Sequence, residues 1–377
     1  MSGRKERTRM AHEEIGARLA RLRALMEEKG MEAFVLLVQE RANSEGCHYI
    51  SGFRGSSAAL IIEQRRTTLM TDGRYRTQAA EQSPFELVVQ TELPLASWIA
   101  KAVADAGHRS VGYEADAISH RMFQTVFAPV RTEWIDATDL IPSLRRTKDA
   151  TEVEAIRRAA RIARDAYGRV LEDVRAGMTE AELDLRLFAE IRRGGAEKGW
   201  THDEFIVASG PRGAMCHGRA SGRAFEPGDT VTVDYGATVD GYMCDITRNF
   251  AVGRAQDRAR ELEGVLLRAH HEAAAALRPG APCKDVDAVA RKIVADAGYS
   301  KEFVHGLGHG LGLSIHEAPR LSFTSRDVLW PGDVVTIEPG IYIEGWGGLR
   351  IEDDYLITED GAERLTEADD QALAVVG

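Results

Sequence analysis

The chain has 377 residues, more than one compact core usually holds, so two domains are expected. Hydrophobic residues make up 44% and charged residues 28%, an ordinary balance for a globular protein; the net charge of −11 comes from acids spread along the chain, which argues against a nucleic-acid footprint. No apolar run is long enough to span a bilayer, and the basic opening MSGRKERTRM lacks the apolar core of a secretory signal. Cys47, Cys216, Cys244 and Cys283 show no C-x-x-C spacing, which fits small buried side chains in a reducing cytoplasm. No membrane partner is expected.

Residues 1–142 alternate helix and strand signals. Ile15, Leu19, Leu22 and Met26 follow helical spacing, and Gly30 stops that helix. Strands are predicted at Ala33 to Val38, Ala58 to Ile62, Thr67 to Met70, Glu86 to Val89 and Ser110 to Tyr113. Helices are predicted at about Pro94 to Ala106 and Ser119 to Phe127. This reads as a mixed α/β domain without a phosphate loop or dinucleotide fingerprint. Asp139 to Ala150, interrupted by Pro142, reads as a linker.

Residues 143–377 read differently. A long amphipathic helix carries Val153, Ile156, Ala160, Ala163, Tyr167, Leu171 and Val174 on one stripe. Thr179 and Glu182 form a capping box that opens a second helix to about Arg193. Strands follow at Glu204 to Ala208, Thr230 to Tyr235 and Tyr242 to Val252. Helices return at about Ala255 to Leu277 and Cys283 to Ala297, then strands at Val334 to Glu338 and Leu349 to Ile357. Two helices and then strands occur twice, a duplicated ααββ order. The fold class is therefore α+β, with a mixed α/β domain before the duplicated one.

Asp240-Gly241 is a strong two-residue hairpin signal. Residues equidistant from that turn face each other, so Asp234 opposes Thr247 and Asp245 opposes Gly236. Asp234 and Asp245 then share one face as diagonal neighbours; a one-residue slip would separate them. A second hairpin centred near Gly345 sets Glu338 opposite Glu352, although Pro339-Gly340 interrupts its ladder. His309 lies among Gly306, Gly308, Gly310 and Gly312, where backbone and ligand can approach closely. Four carboxylates in apolar strands carry more negative charge than a buried pocket tolerates alone. Two divalent cations are the natural compensation. With one imidazole and no thiolate, the oxygen-rich donor set favours Mn2+, with Co2+ or Zn2+ as alternatives.

The strings VDYGATVDGYMCDITR, HGLGHGLGLSIHE, TIEPGIY and GGLRIEDD resemble the metallopeptidases of the pita-bread fold, the M24 family. Within it they are most similar to Xaa-Pro aminopeptidases and Xaa-Pro dipeptidases (prolidases). HYISGFRGSSAALII and LMTDGRY resemble the creatinase-like N-terminal domain of those enzymes, and LRRTKDATEVEAIRRAARIA their domain junction. The resemblance covers nearly the whole chain. It implies that Asp234 chelates one ion, that Asp245 and Glu352 bridge both, and that His309 and Glu338 hold the other. It places His217 near the substrate, matches His305 and His316 to two further substrate-site histidines, and matches Tyr342 and Arg350 to supporting positions. Cys216 stands where family members often have Pro or Val.

The expected activity is hydrolysis of the Xaa-Pro imide bond at the N-terminus of peptides, by a hydroxide bridging two ions. Glu338 shuttles the proton, and His217 or His316 helps stabilise the oxyanion. An Xaa-Pro dipeptidase is the alternative. A creatinase-like C–N hydrolase or a non-catalytic binding module on the same fold fits less well, because such relatives lack the five ligands. The resemblance also implies a homodimer. His12, His48, His108, His120, His202, His270 and His271 lack motif context and are expected to be structural or surface residues.

Overall fold

The computed structural model describes residues 2–40, 42–90, 92–200, 205–366 and 371–377, without the side chains of 2–12. His202 and the side chain of His12 therefore lie outside the described residues. The chain divides into two compact units, Met1–Arg145 and Arg146–Gly377.

The first unit contains α1 (Ser2–Glu28), β1 (Ala33–Gln39), α2 (Ser44–Ser51), β2 (Ser57–Glu63), β3 (Thr67–Asp72), α3 (Arg76–Gln82), β4 (Glu86–Gln90), α4 (Leu95–Ala106), β5 (Ser110–Tyr113), α5 (His120–Met122), β6 (Glu133–Asp136) and α6 (Leu140–Arg146). Its six strands form one mixed sheet in the order β4-β3-β2-β1-β5-β6. The stripe Ile15, Leu19, Leu22 and Met26 is buried, as its spacing predicts. The segment expected to be a linker is in fact helical at α6. Pro142 sits in its first turn, where the missing N–H leaves no bond unmade. The predicted helix over 119–127 is a short α5 followed by a π-turn, Phe123–Phe127.

The second unit opens with α7 (Ala150–Leu171) and α8 (Glu180–Arg193), whose Thr179–Glu182 capping box is formed. Then come β7 (Ile206–Ser209), β8 (Thr230–Tyr235), β9 (Thr238–Val239), β10 (Tyr242–Met243) and β11 (Ile246–Val252). The second half repeats the order with α9 (Asp257–Ala275), α10 (Cys283–Asp296), β12 (Gly308–Gly310), β13 (Glu317–Leu321), β14 (Val334–Ile337), β15 (Gly340–Ile343), β16 (Gly347–Arg350) and β17 (Asp353–Ile357). β18 (Ala362–Arg364) and β19 (Ala374–Val376) close the chain, β19 pairing parallel with β11. One sheet runs β19-β11-β8-β7 and another β13-β12-β14-β17-β18. Each half has its own apolar core, one around Ala163, Leu187, Val233 and Phe250, the other around Leu266, Val294, Val335 and Ile357.

The duplication extends to single residues. Asp184 on α8 accepts the Phe205 amide at 2.8 Å, and Asp287 on α10 accepts the Leu307 amide at 3.1 Å. Each buried aspartate ties its half's second helix to the chain that enters that half's first strand. Two predicted strands are divided. Tyr242 to Val252 breaks at Cys244–Asp245, and Leu349 to Ile357 breaks at Ile351–Glu352, where the chain passes from one ladder to another.

Candidate metal centre

The first hairpin has the predicted register. Asp240 and Gly241 both take positive φ (51° and 87°), the two-residue turn that matches strand twist. Tyr242 pairs with Val239, and Thr247 pairs with Asp234. Between those ladders Gly236 passes so close to Cys244 that a Cβ there would lie 2.0 Å from its carbonyl oxygen. The strand break this permits turns Asp245 into the cavity.

The second hairpin keeps one register across its interruption. Ile337 pairs with Asp353 and Gly340 with Arg350, so Glu338 and Glu352 stand opposite each other between the two ladders. Glu352 is also bridged to Thr247, whose hydroxyl donates to Glu352 Oε2 at 2.6 Å. Asp234, Thr247, Glu352 and Glu338 thus form one row across both hairpins. The Asp245 amide donates to Asp354 Oδ2 at 3.0 Å, a second tie across the same join.

His309 reaches the row from β12, which lies so near β14 that a Cβ on Gly308 would meet Thr336 O at 2.0 Å. Its Nδ1 lies 3.0 Å from Gly310 O, and a carbonyl can only accept, so Nδ1 carries the proton. The Nε2 lone pair therefore faces the acids, 3.4 Å from Glu338 Oε1 and 3.7 Å from Asp245 Oδ2. Asp245, His309 and Glu352 each offer a donor atom, all within 4.8 Å of one another. Asp234 Oδ1 and Asp245 Oδ1 are buried without a hydrogen-bond partner. Orphaned carboxylate oxygens beside an imidazole lone pair suit a hard divalent cation.

Electrostatics agree. Burial, reinforced by Glu352 and Asp234, pushes Asp245 well above the usual carboxylate range. Burial and the neighbouring Glu338 and Asp234 do the same to Glu352. Glu338 is raised to about 8 by burial, against the pull of Arg350. Burial, with His316 adding to it, lowers His309 to about 3, so its ring is neutral and ready to ligate.

Arg350 braces the row. Its Nη2 donates to Asp234 Oδ2 at 2.6 Å and its Nε to Thr247 Oγ1 at 3.0 Å. Its Nη1 donates to Tyr342 OH at 2.8 Å and to the Cys216 carbonyl at 3.1 Å. His305 holds Gly306 O through Nδ1 at 2.7 Å, so its Nε2 accepts from Tyr342 OH at 2.9 Å. Both ring nitrogens of His305 are engaged inside this chain of bonds. His316 stands edge-on to His309, ring centroids 4.3 Å apart, and His217 is an exposed residue of the same cavity wall.

All ten predicted site residues line one cavity of about 800 Å3: Asp234, Asp245, His309, Glu338, Glu352, His217, His305, His316, Tyr342 and Arg350. Trp200, Phe205, Ile206, Val304, Ile315 and Phe323 give it apolar walls. Arg219 and Arg320 also line it; neither spacing nor periodicity marks them in the sequence. Cys216 is on the wall, whereas Cys244 is in the core. Behind the row, Arg248 donates to the Glu352 carbonyl at 2.7 Å and to Asp353 Oδ1 at 2.7 Å, and His270 Nε2 lies 3.2 Å from Asp353. Asp353, surrounded by donors, is held well below the usual range by Arg248 and His270 despite its burial.

The model of metallopeptidase family M24 matches residues 154–359, and that of the creatinase/prolidase N-terminal domain matches residues 18–147. The chain belongs to metallopeptidase family M24. An uncharacterized peptidase of Bacillus subtilis, YqhT, is 34% identical over 93% of this chain and 98% of its own length. A Pyrococcus furiosus Xaa-Pro dipeptidase is 43% identical over 62% of this chain and 67% of its own. Among solved structures, an Xaa-Pro dipeptidase from Bacillus anthracis has a TM-score of 0.89 at 35% identity, covering 96% of this chain and 100% of that one. An X-Pro aminopeptidase from Thermotoga maritima has a TM-score of 0.87 at 35% identity, covering 92% and 98%. The fold is the family's, a creatinase-like N-terminal domain before a pita-bread catalytic domain, and the chain is a hydrolase that uses divalent metal.

Proposed function

We propose that this M24 enzyme hydrolyses the Xaa-Pro imide bond at the N-terminus of peptides. The observation that carries this is the row of buried acids facing the His309 lone pair inside a cavity with apolar walls. The names of the relatives, Xaa-Pro dipeptidases and an X-Pro aminopeptidase, supply the substrate class.

Asp234, Asp245, His309, Glu338 and Glu352 would hold two divalent ions, and the hardness of the donors favours Mn2+. When bound, such ions lower the pKa of water and polarise a carbonyl. The chain's own groups do the rest. Glu338 takes a proton near the attacked carbonyl and delivers it toward the imide nitrogen. His217 and His316 donate to the carbonyl oxygen as charge develops there. Tyr342 and Arg350 fix His305 and Asp234 in place. Apolar walls receive the proline ring and exclude water. We assign the N-terminal domain to residues 1–142 and the catalytic domain to 143–377, which the units ending and starting at Arg145 and Arg146 support. A cytoplasmic homodimer completes the proposal.

Ion content and turnover of Asp245→Ala and Glu338→Ala test it. Asp245→Ala should lose the ion pair, and Glu338→Ala should lose turnover while keeping part of the metal. Full activity in either refutes the assignment. A dipeptidase is the second reading, favoured by Arg219 and Arg320 on the cavity wall, cations able to hold a substrate carboxylate. Comparing Xaa-Pro with Xaa-Pro-Yaa peptides decides it: preference for the free dipeptide, abolished in Arg320→Met, selects the dipeptidase.

A further inference from the structure

The loop that carries His217 is held from outside the cavity. It leaves β7 at Ser209, passes through a tight turn at Gly210–Ala214 and returns at Ser221. Both ends are tied to one carboxylate, that of Glu180, which is fully buried. Oε1 accepts from the Ser209 amide at 2.8 Å and its hydroxyl at 2.7 Å. Oε2 accepts from the Ser221 amide at 3.0 Å, its hydroxyl at 2.6 Å and Arg212 Nε at 3.0 Å. Glu180 is the first residue of α8, where free helix N–H groups favour negative charge. The cavity wall includes Cys216 and His217 but not Glu180. Nearer its tip, the loop has the tie from Arg350 to the Cys216 carbonyl.

We propose that Glu180 is a positioning residue: by closing the base of the 209–221 loop it sets where His217 stands on the cavity wall. This rests on the reading of His217 as a substrate-contacting group. Two amides, two hydroxyls and a guanidinium surround Glu180, so the site needs acceptors on both oxygens. Glu180→Gln keeps the size but turns an NH2 group against donors on one side. One end of the loop is then released while the Arg350 tie remains.

The test combines hydrogen exchange of the manganese-loaded protein with a double-mutant cycle on an Xaa-Pro peptide. In Glu180→Gln, amides of 209–221 should exchange about tenfold faster or more, while β8 and β11 exchange as in the wild type. Manganese content should be unchanged, and kcat/KM should fall about tenfold. Adding Glu180→Gln to His217→Ala should cost less than about twofold more, because the carboxylate acts through that histidine. Unchanged exchange in the loop, or costs that add in full, overturns the proposal. If His217→Ala alone keeps wild-type kcat/KM, the role of His217 is what fails, and loop exchange still judges the hold by Glu180. Should Glu180→Gln not fold, Ser221→Ala removes one donor and leaves the carboxylate; it should loosen the same segment to a smaller extent, and wild-type exchange there overturns the proposal.

Discussion

Replacing Asp245 with Asn separates folding from ion binding. Asp245 and Glu352 lie within 4.8 Å of each other. Two ionised carboxylates at about that distance repel by about 3.5 kcal/mol at an effective dielectric constant of about 20. Metal-free protein escapes this by keeping a proton on the pair, consistent with both groups being pushed far up. Keeping it at neutral pH costs about 1.4 kcal/mol for each pH unit above an ordinary carboxylate pKa. An asparagine carries no charge and its NH2 can donate to Glu352. Allowing for the cost of burying the amide, the chelated variant should be about 1–3 kcal/mol more stable than chelated wild type. For a unit of this size that raises Tm by about 2–4 °C per kcal/mol. The assay is calorimetry with a chelator and again with saturating Mn2+. The wild type should gain strongly from the ion and the variant hardly at all. A chelated variant that melts below chelated wild type, yet keeps the full Mn2+ shift, refutes the reasoning.

Further expectations follow from the same geometry. Glu338 is raised to about 8, so its contribution to metal-free stability is complete below its ordinary value of 4.5 and is lost as pH rises toward 8. His309, lowered to about 3, acts oppositely and loses stability only as pH falls below 6.5, so chelated protein should melt progressively lower from pH 6.5 to 8. Over the same range Mn2+ affinity by calorimetric titration should rise, because ligands must shed protons. Tyr342→Phe removes the hydroxyl between Arg350 and His305, and should cost about 1–3 kcal/mol in chelated stability and lower kcat/KM. Gly308→Ala forces a Cβ onto Thr336 O, and should destabilise by about 1–3 kcal/mol or more and displace His309, read as weakened Mn2+ binding.

The hairpins were legible because local chemistry dictated them. Asp240-Gly241 specifies a turn, the turn specifies register, and register puts Asp234 and Asp245 on one face. Glu338 and Glu352 were legible for the same reason; Pro339-Gly340 redirects the chain between ladders without changing the count of residues. Other features depend on tertiary contacts that no local signal encodes. Glu180 looks like a helix-start acid, and only the folded loop shows that it gathers donors from Ser209 to Ser221. Arg219 and Arg320 stand among many surface arginines until the cavity wall is closed around them. α2 spans eight residues behind a left-handed Asn43, too short for periodicity to register. Pro142 suggested a break in the chain where it starts a helix.

Thr247 pairs with Asp234 on one side and Glu352 on the other, so the candidate metal centre straddles the crease where the two halves of the catalytic unit meet. A nascent chain that has passed β11 already carries Asp234 and Asp245, yet it has nothing to set against them. The partner acids, Glu338 and Glu352, come from the second half, with Glu352 the last of the five in sequence. The donor set is therefore complete only once the second half has docked on the first.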